Sequence, residues 1–226
     1  MKTFKVLGLL MSYPKPEWVS HLDECKLVLA QEKFLPKKHL QAVMAFIEML
    51  KTADLYSVQE EYVATFDRGR SHSLHLFEHI YGESRDRGQA MVNLIDAYEE
   101  KGLFIDQAEL PDYIPLFLEF LSLCPLDEAV VLLGEPIDIM ATIAARLQER
   151  DSSWAVLFSA LVALSKAKPN RDKIKEVLAQ GLEDSSLEAL DREWEEAAAF
   201  AGQPDQSDCG ACASPADGLN ITINTS

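Results

Sequence analysis

Apolar residues recur at helical spacing along most of this chain, and that spacing limits the folds open to it. Phe4, Leu7 and Leu10 stand three positions apart, and stripes of similar period return as far as Leu164. Residues three or four positions apart share one face of an α-helix. No five-residue alternation of apolar and polar residues is bounded by turn signals, as a strand would require. The sequence therefore predicts an all-α fold.

Prolines and a capping residue divide the first part of this pattern into separate helices. Pro14 ends the first helix, and Pro16 opens a second that is predicted to run through Leu29. Proline suits the first turn of a helix because its missing N–H is not needed there. Pro36 repeats the device for a third helix, and Asp54 is the predicted N-cap of a fourth.

The middle of the chain contains one clear loop and one unusually apolar helix. Lys101-Gly102 ends a helix in the manner of a C-cap, and Leu103–Leu110 forms the loop. Pro111 then opens a helix over Asp112–Leu121 that is apolar nearly all round. Such a helix is expected to lie centrally or against an apolar partner. Further helices are predicted on both sides of Gly134–Pro136, around Trp154–Leu164, and over 171–180 and 185–200.

Composition predicts one helical domain followed by a tail. With 226 residues, 48% of them hydrophobic, the chain can bury a substantial core. From Gly202 onward the residues are mostly small or polar and leave little to bury. We therefore expect a single compact multi-helix domain over residues 1–201 and a disordered tail over residues 202–226.

Charge and apolar run lengths narrow the classes of partner. The formal net charge of −16 argues against nucleic acid or an anionic membrane as the main ligand and favours a basic peptide. The run from Val6 to Met11 is short for a signal peptide, and no window approaches the ~20 apolar residues of a membrane span. Four cysteines do not make a disulfide framework for a chain of this length. A cytoplasmic protein without direct membrane insertion is expected.

Histidines and cysteines raise the question of a metal site. His72, His75 and His79 would align on one face of a helix, and a transition-metal site would be one use of that arrangement. The absence of a His-Glu-x-x-His motif favours polar lining or interior histidines instead. Cys209 and Cys212 form a lone Cys-x-x-Cys without the second pair that a structural zinc site commonly needs. No metal or other cofactor is predicted.

Catalysis has little support in the sequence, and a binding module uses its features better. The chain has neither a Gly-x-Ser-x-Gly elbow nor a glycine-rich phosphate loop. The segment Glu61–Gly88 is dense in aromatic residues. Tyr62 and Phe66 stand four positions apart, as do Phe77 and Tyr81, so each pair is predicted to share one face of a helix. A polar turn would separate the first of these helices from the second. Such helices in an acidic protein could hold an amphipathic peptide in a groove.

Three motifs resemble one known family. The run Tyr62-x-x-x-Phe66-Asp67, followed over residues 72–88 by His-Ser-Leu-x-Leu-Phe-Glu-His-Ile-Tyr-Gly-Glu-Ser-Arg-Asp-Arg-Gly, resembles the signature of the NarJ-type chaperones that assemble respiratory nitrate reductase. Leu-Leu-Met-Ser-Tyr-Pro over residues 9–14 resembles the opening element of that family. Glu-Leu-Pro-Asp-Tyr over residues 109–113 resembles an element of the wider group of molybdoenzyme chaperones.

The resemblance implies a fold, a partner and a set of binding residues. The fold would be that of the molybdoenzyme chaperones. The partner would be the apo catalytic (molybdenum) subunit of nitrate reductase, bound through its N-terminal, signal-like peptide. The chaperone would support molybdenum cofactor insertion and would not be part of the finished enzyme. The implied peptide-binding residues are Tyr62, Phe66, Asp67, His72, Phe77, Glu78, Tyr81, Arg85, Arg87, Glu109, Pro111, Asp112, Tyr113, Leu116, Phe117 and Phe120.

These residues would have different roles. Aromatic and aliphatic members would line or support the groove, while Asp67, Glu78, Glu109 and Asp112 would meet a basic peptide. Arg85 and Arg87 would orient those carboxylates. For every aromatic member, ordinary core packing is an open alternative. A general helical adaptor for another client is the alternative function, and a metal-dependent enzyme would require the three histidines to chelate.

Overall fold

Helices account for nearly all of the regular structure. The computed structural model describes residues 1–68, 70–80, 86–105 and 109–179, and these residues contain no strand. The helices are α1 Lys2–Met11, α2 Pro16–Val19, α3 Leu22–Glu32, α4 Lys37–Thr52, α5 Leu55–Phe66, α6 Asp86–Glu100, α7 Ile114–Leu123, α8 Leu126–Leu132, α9 Ile137–Glu149, α10 Ala155–Leu164 and α11 Arg171–Ala179. The predicted all-α fold is confirmed.

Local signals in the sequence explain two of the helix ends. The Asp54 carboxylate accepts a hydrogen bond from the backbone N–H of Ser57 at 3.0 Å, so it caps α5 as predicted. Gly102 has φ +78°, which glycine adopts without strain. Its N–H donates to the backbone carbonyl of Glu99, and the N–H of Leu103 donates to the backbone carbonyl of Tyr98, both at 2.9 Å. These two bonds form the Schellman motif that ends α6.

The apolar helix α7 lies in the core and packs most extensively against α1. Gly8 permits this close approach, because a Cβ there would lie 2.9 Å from the carbonyl oxygen of Pro115 and 3.3 Å from the Cβ of Leu118. An ion pair of 2.7 Å between Lys5 of α1 and Glu119 of α7 also joins the two helices. The expectation that this helix is central is confirmed.

A cluster of aromatic rings joins α4, α5 and α10. Trp154 is fully buried, and its ring centroid lies 5.0 Å from that of Phe46, 5.4 Å from that of Tyr62 and 5.5 Å from that of Phe66. All three pairs meet edge to face, the arrangement that the charge distribution of aromatic rings favours. The predicted helical pair Tyr62 and Phe66 therefore does share one buried face of α5.

The second helix predicted in the central segment does not form. Residues 70–80 instead contain two short 3₁₀ turns, Arg70–His72 and Leu76–Glu78, on either side of an extended stretch. That stretch pairs with a distant segment in an isolated antiparallel bridge between His75 and Tyr113. Leu76 donates its N–H to the Asp112 carbonyl at 3.0 Å. Because these long-range bonds replace helical ones, His72, His75 and His79 do not align on one helical face.

Two helix boundaries also differ from the predicted ones. The helix that Pro16 opens ends at Val19, and a new helix begins at Leu22. The helix after Pro111 begins only at Ile114, because Asp112 and Tyr113 are engaged in the bridge. In both cases the apolar spacing is helical, but the chain turns locally at Ser20 and His21, and it pairs with a distant segment at Asp112 and Tyr113.

Some predictions lie outside the described residues. These are the groove residues Tyr81 and Arg85, the helix over 185–200, the domain boundary at residue 201, the disordered tail and the pair Cys209 and Cys212. Within the described parts of the chain, no helix combines the length and the hydropathy needed to cross a membrane.

Candidate peptide-binding groove

Two adjoining cavities lie along α1, α5 and the start of α7. Their volumes are about 330 and 230 Å³, and both are lined by Glu109 and Tyr113. The first is also lined by Tyr13, Tyr62, Phe66, Asp67, Leu74 and His75. The second is also lined by Lys5, Gly8, Leu9, Ser12, Pro115, Leu116 and Glu119. Because they share two residues, the cavities adjoin, and together we call them the α1–α5–α7 groove.

Three tyrosines form the floor of the first cavity. Tyr62 is buried, and its hydroxyl donates to the Met11 carbonyl at 3.0 Å while lying 3.4 Å from the hydroxyl of Tyr113. The ring of Tyr13 meets that of Tyr62 edge to face, with centroids 5.5 Å apart. Burial raises the pKa of both Tyr62 and Tyr113, so both hydroxyls stay neutral at physiological pH. The floor is therefore aromatic and uncharged.

The rim of the groove is acidic. Asp67 and Glu109 are both exposed at the first cavity, and neither forms an ion pair with a described cation. At the second cavity, Glu119 is bound to Lys5 at 2.7 Å. An aromatic floor beneath two exposed carboxylates suits a segment that carries both apolar and cationic side chains.

One wall of the groove consists of two paired backbone segments held together by Asp112. Its carboxylate is fully buried and accepts a hydrogen bond from the N–H of Phe77 at 3.0 Å. The ring of His75 approaches the same carboxylate, with Nδ1 3.4 Å from Oδ1. The N–H of Ile114 donates to the Leu74 carbonyl at 2.8 Å. These hydrogen bonds fix the wall that lines the first cavity with Leu74, His75 and Tyr113.

The charged groups of this wall stabilise one another in their ionised forms. Burial alone would raise the pKa of the Asp112 carboxyl, but hydrogen bonds from His75 and Phe77 and the charges of His75 and Arg87 together lower it. The same hydrogen bond raises the pKa of His75 despite partial burial. Arg87 lies 3.9 Å from Asp112 and 3.6 Å from Glu78. Asp112 is thus an ionised structural carboxylate.

Comparison with known proteins assigns the chain to a family. A sequence model described as nitrate reductase delta subunit matches residues 9–160. The chain belongs to this nitrate reductase delta subunit family. The match contains all three motifs noted above and every described residue of the groove except Lys5 and Gly8.

Relatives of this delta-subunit family member are named as chaperones. The Escherichia coli K12 protein named nitrate reductase molybdenum cofactor assembly chaperone NarJ is 44% identical over 84% of this chain and 81% of its own length. A Bacillus subtilis protein described as a chaperone of the same name is 30% identical over 71% of this chain and 86% of its own. The named relatives are thus assembly chaperones and not catalysts.

A solved structure supports the fold. A chain from Archaeoglobus fulgidus, described as a redox enzyme maturation protein, superposes with a TM-score of 0.52 at 22% sequence identity. The superposition covers 71% of this chain and 91% of that one. The delta-subunit family member therefore has the helical architecture of that maturation protein.

The structure brings together only part of the predicted site. Six of the predicted residues line the groove of this family member: Tyr62, Phe66, Asp67, Glu109, Tyr113 and Leu116. The other described ones lie elsewhere. Phe120 packs on the buried ring of Tyr98 at 4.7 Å, and Phe117 is also buried. Pro111 is buried and accepts a hydrogen bond from the Tyr98 hydroxyl at 2.8 Å.

The polar predicted residues are likewise divided. Glu78 lies 3.6 Å from Arg87, and Asp112 is interior and does not reach the rim. His72 is buried beside Ser71, outside both cavities. Sequence reasoning did not place His75 at the groove, because its position follows from the bridge to Tyr113.

The three central histidines have separate surroundings. His75 meets Asp112, the Nε2 of His79 lies 2.9 Å from the Ser73 carbonyl, and Nδ1 of His72 lies 3.0 Å from the Ser71 hydroxyl. Across the part of the chain that the structure describes, no three potential ligands among histidine, cysteine and carboxylate residues are placed to hold a metal ion. Each histidine instead contributes hydrogen bonds to local structure.

Proposed function

We propose that this chain is a dedicated chaperone that binds the N-terminal region of the apo catalytic subunit of respiratory nitrate reductase. The observation that carries the proposal is the α1–α5–α7 groove, with its aromatic floor and acidic rim. The names of the family relatives supply the enzyme system. Binding would keep the apoprotein competent for molybdenum cofactor insertion, and the chaperone would then leave the finished enzyme.

The groove matches the chemistry of a signal-like peptide. Such a segment folds as an amphipathic helix whose apolar side chains recur every three or four residues and whose flanks are basic. The apolar face would cover Tyr13, Tyr62 and Leu116, and the basic flank would meet Asp67 and Glu109. The net charge of −16 would speed the encounter of the two chains. This recognition takes place in the cytoplasm, before the client reaches the membrane.

Calorimetric titration with the client peptide tests the proposal. The peptide would cover the N-terminus of the co-encoded catalytic subunit, and a scrambled peptide would be the control. Burial of apolar surface on binding gives a negative ΔCp. We therefore expect saturable binding with negative ΔCp for the native order and no binding for the scramble.

A matched pair of tyrosine variants locates the site. Tyr13 lines the first cavity, whereas Tyr56 is 79% exposed on α5 and lines neither cavity. Tyr13→Ala should weaken binding by about tenfold or more, as expected for loss of an aromatic anchor, and Tyr56→Ala should not. Equal affinities for both variants would move the binding site elsewhere. No binding by the wild-type protein would favour a helical adaptor for another client.

A further inference from the structure

The segment that forms one wall of the groove also has a second, cationic face. His72 is only 1% exposed, and its Nδ1 lies 3.0 Å from the Ser71 hydroxyl. Its Nε2 is buried and has no hydrogen-bond partner among the residues that the structure describes. Arg146 of α9 reaches the same turn and donates from Nη1 to the Ser71 carbonyl at 2.9 Å. A buried imidazole nitrogen without a partner is uncommon, because desolvation without a hydrogen bond is unfavourable.

Two arginines beside this histidine also lack acidic partners. Arg146 and Arg150 stand four positions apart on α9 and at its end, and neither lies within 4.0 Å of a carboxylate among the described residues. The Nε of Arg146 is buried and has no hydrogen-bond partner in the part of the chain that the structure describes. The positive charges of Arg150 and Arg146 both act on His72, so a cationic patch surrounds this histidine in a chain of net charge −16.

The turn after α9 adds hydrogen-bond donors close to Arg150 in the chain. Asp151 has φ +53°, and the N–H of Ser152 donates to the Leu147 carbonyl at 2.9 Å, so the chain reverses abruptly there. The hydroxyls of Ser152 and Ser153 are both buried and have no hydrogen-bond partner among the described residues. Unpartnered donors therefore follow Arg150 directly in the chain.

We propose that His72, Arg146 and Arg150 form a binding site for an oxyanion of the phosphate class. Guanidinium groups present planar pairs of N–H donors that match the oxygens of a phosphate. If the Ser71 hydroxyl donates to Nδ1, the Nε2 of His72 carries the proton and donates to the anion. Burial and the charges of Arg150 and Arg146 lower the pKa of His72 to about 4, so this donor is a neutral imidazole at physiological pH.

The site is independent of the proposed chaperone function. None of its three residues lines the α1–α5–α7 groove, although His72 precedes the groove residues Leu74 and His75 in the same short segment. Failure of the client peptide to bind would therefore leave the oxyanion site untouched, and the reverse holds equally. A phosphate could be free or carried on an ester, and separate titrations distinguish the two.

Calorimetry with inorganic phosphate and with ribose 5-phosphate, at constant ionic strength, tests the site. Phosphate stabilises many proteins non-specifically, so affinity and not melting temperature is the readout. Arg150→Gln is the principal variant because Arg150 is exposed and its replacement leaves the core intact. Lys166→Gln, which removes one exposed positive charge after α10, is the matched control. We expect Arg150→Gln to weaken binding about tenfold or more and Lys166→Gln to leave it unchanged.

Nitrogen NMR of the histidine rings gives a second readout that a purely structural role would not move. Phosphate should shift the Nε2 signal of His72 and leave that of His21, an exposed histidine bound to Glu24, in place. Saturable binding of ribose 5-phosphate alone would identify an ester site, and binding of both would identify the phosphate group itself. Absence of saturable binding to either, or equal loss in both variants, would overturn the proposal and leave ordered water as the partner of these donors.

Discussion

The carboxylate of Asp112, which has no solvent exposure, accepts a hydrogen bond of 3.0 Å from the backbone N–H of Phe77. This bond joins residues 35 positions apart and fixes one wall of the groove. Asp112→Asn keeps the shape and one acceptor but removes the charge that His75 and Arg87 face. We expect the free energy of unfolding to fall by about 1.5–3 kcal/mol, the range for hydrogen bonds to charged groups.

Chemical denaturation of Asp112→Asn beside Glu109→Gln checks this expectation. Glu109 is exposed and has no described ion pair, so its neutralisation should change stability by less than about 0.5 kcal/mol. Equal stability of the two variants would show that the buried carboxylate is not ionised.

Acid should weaken the protein through His72. Its pKa is lowered to about 4 by burial and neighbouring arginines, whereas the unfolded chain has an ordinary value near 6.5. The unfolded state therefore binds the proton first, and stability falls as the pH drops from about 6.5 to about 4, by up to about 3 kcal/mol. Urea unfolding of wild type and His72→Asn across this range should give a steeper pH dependence for wild type. Parallel curves would contradict the assignment.

His75 should act in the opposite direction. Its pKa is raised by the hydrogen bond to Asp112, so its contribution is complete below the unfolded value near 6.5 and is lost as the pH rises through the folded value. The stability difference between wild type and His75→Gln should therefore be larger at pH 6 than at pH 9. A difference that grows with pH would exclude a charged His75.

Gly8 should tolerate no larger residue. A Cβ at this position would meet the Pro115 carbonyl oxygen at 2.9 Å, so Gly8→Ala should lower stability by about 1–3 kcal/mol through overpacking of α1 against α7. Gly88 on α6 is the control, since a Cβ there meets nothing within 4 Å. Gly88→Ala should raise stability by about 0.5–1 kcal/mol through helix propensity. Thermal unfolding of both variants would show opposite shifts.

Peptide binding should depend on the rim charges in a salt-dependent way. Asp67→Asn combined with Glu109→Gln should weaken binding of the client peptide more at low salt than at high salt, because at high salt screening already removes part of the attraction. Glu99→Gln with Glu100→Gln, a pair of exposed charges at the end of α6, is the control with the same change in net charge. An equal loss at both salt concentrations would remove electrostatics from the recognition.

The helices could be predicted because their signals are local, and the groove wall could not because its bonds are distant. Asp54, Gly102 and the apolar period each act within a few residues, and each appears in the structure as expected. The spacing of three and four positions between the central histidines imitates a helix, yet the backbone there pairs with the residues around Tyr113. Neither segment contains a local sequence pattern that predicts this pairing.

The sequence predicts only part of the groove. Tyr62 and Glu109 stand out because they are aromatic or acidic and lie in recognisable motifs. Aromatic residues of the groove and of the core look alike in sequence, so the family resemblance also implies Phe120, which packs inside on Tyr98. Only the relative placement of helices distinguishes the two.

The packing of α1 against α7 has a consequence during synthesis. Lys5 and Glu119 are 114 positions apart, so the face of α1 that packs on α7 has no partner until α7 has been synthesised. At about 5–20 residues per second, this interval lasts roughly 5–25 s. Phe34, whose ring centroid lies 5.8 Å from that of Phe4, is synthesised much earlier and can cover another part of α1 with α3. The surface around Gly8 that meets Pro115 and Leu118 therefore stays uncovered on the nascent chain for longer than the rest of α1.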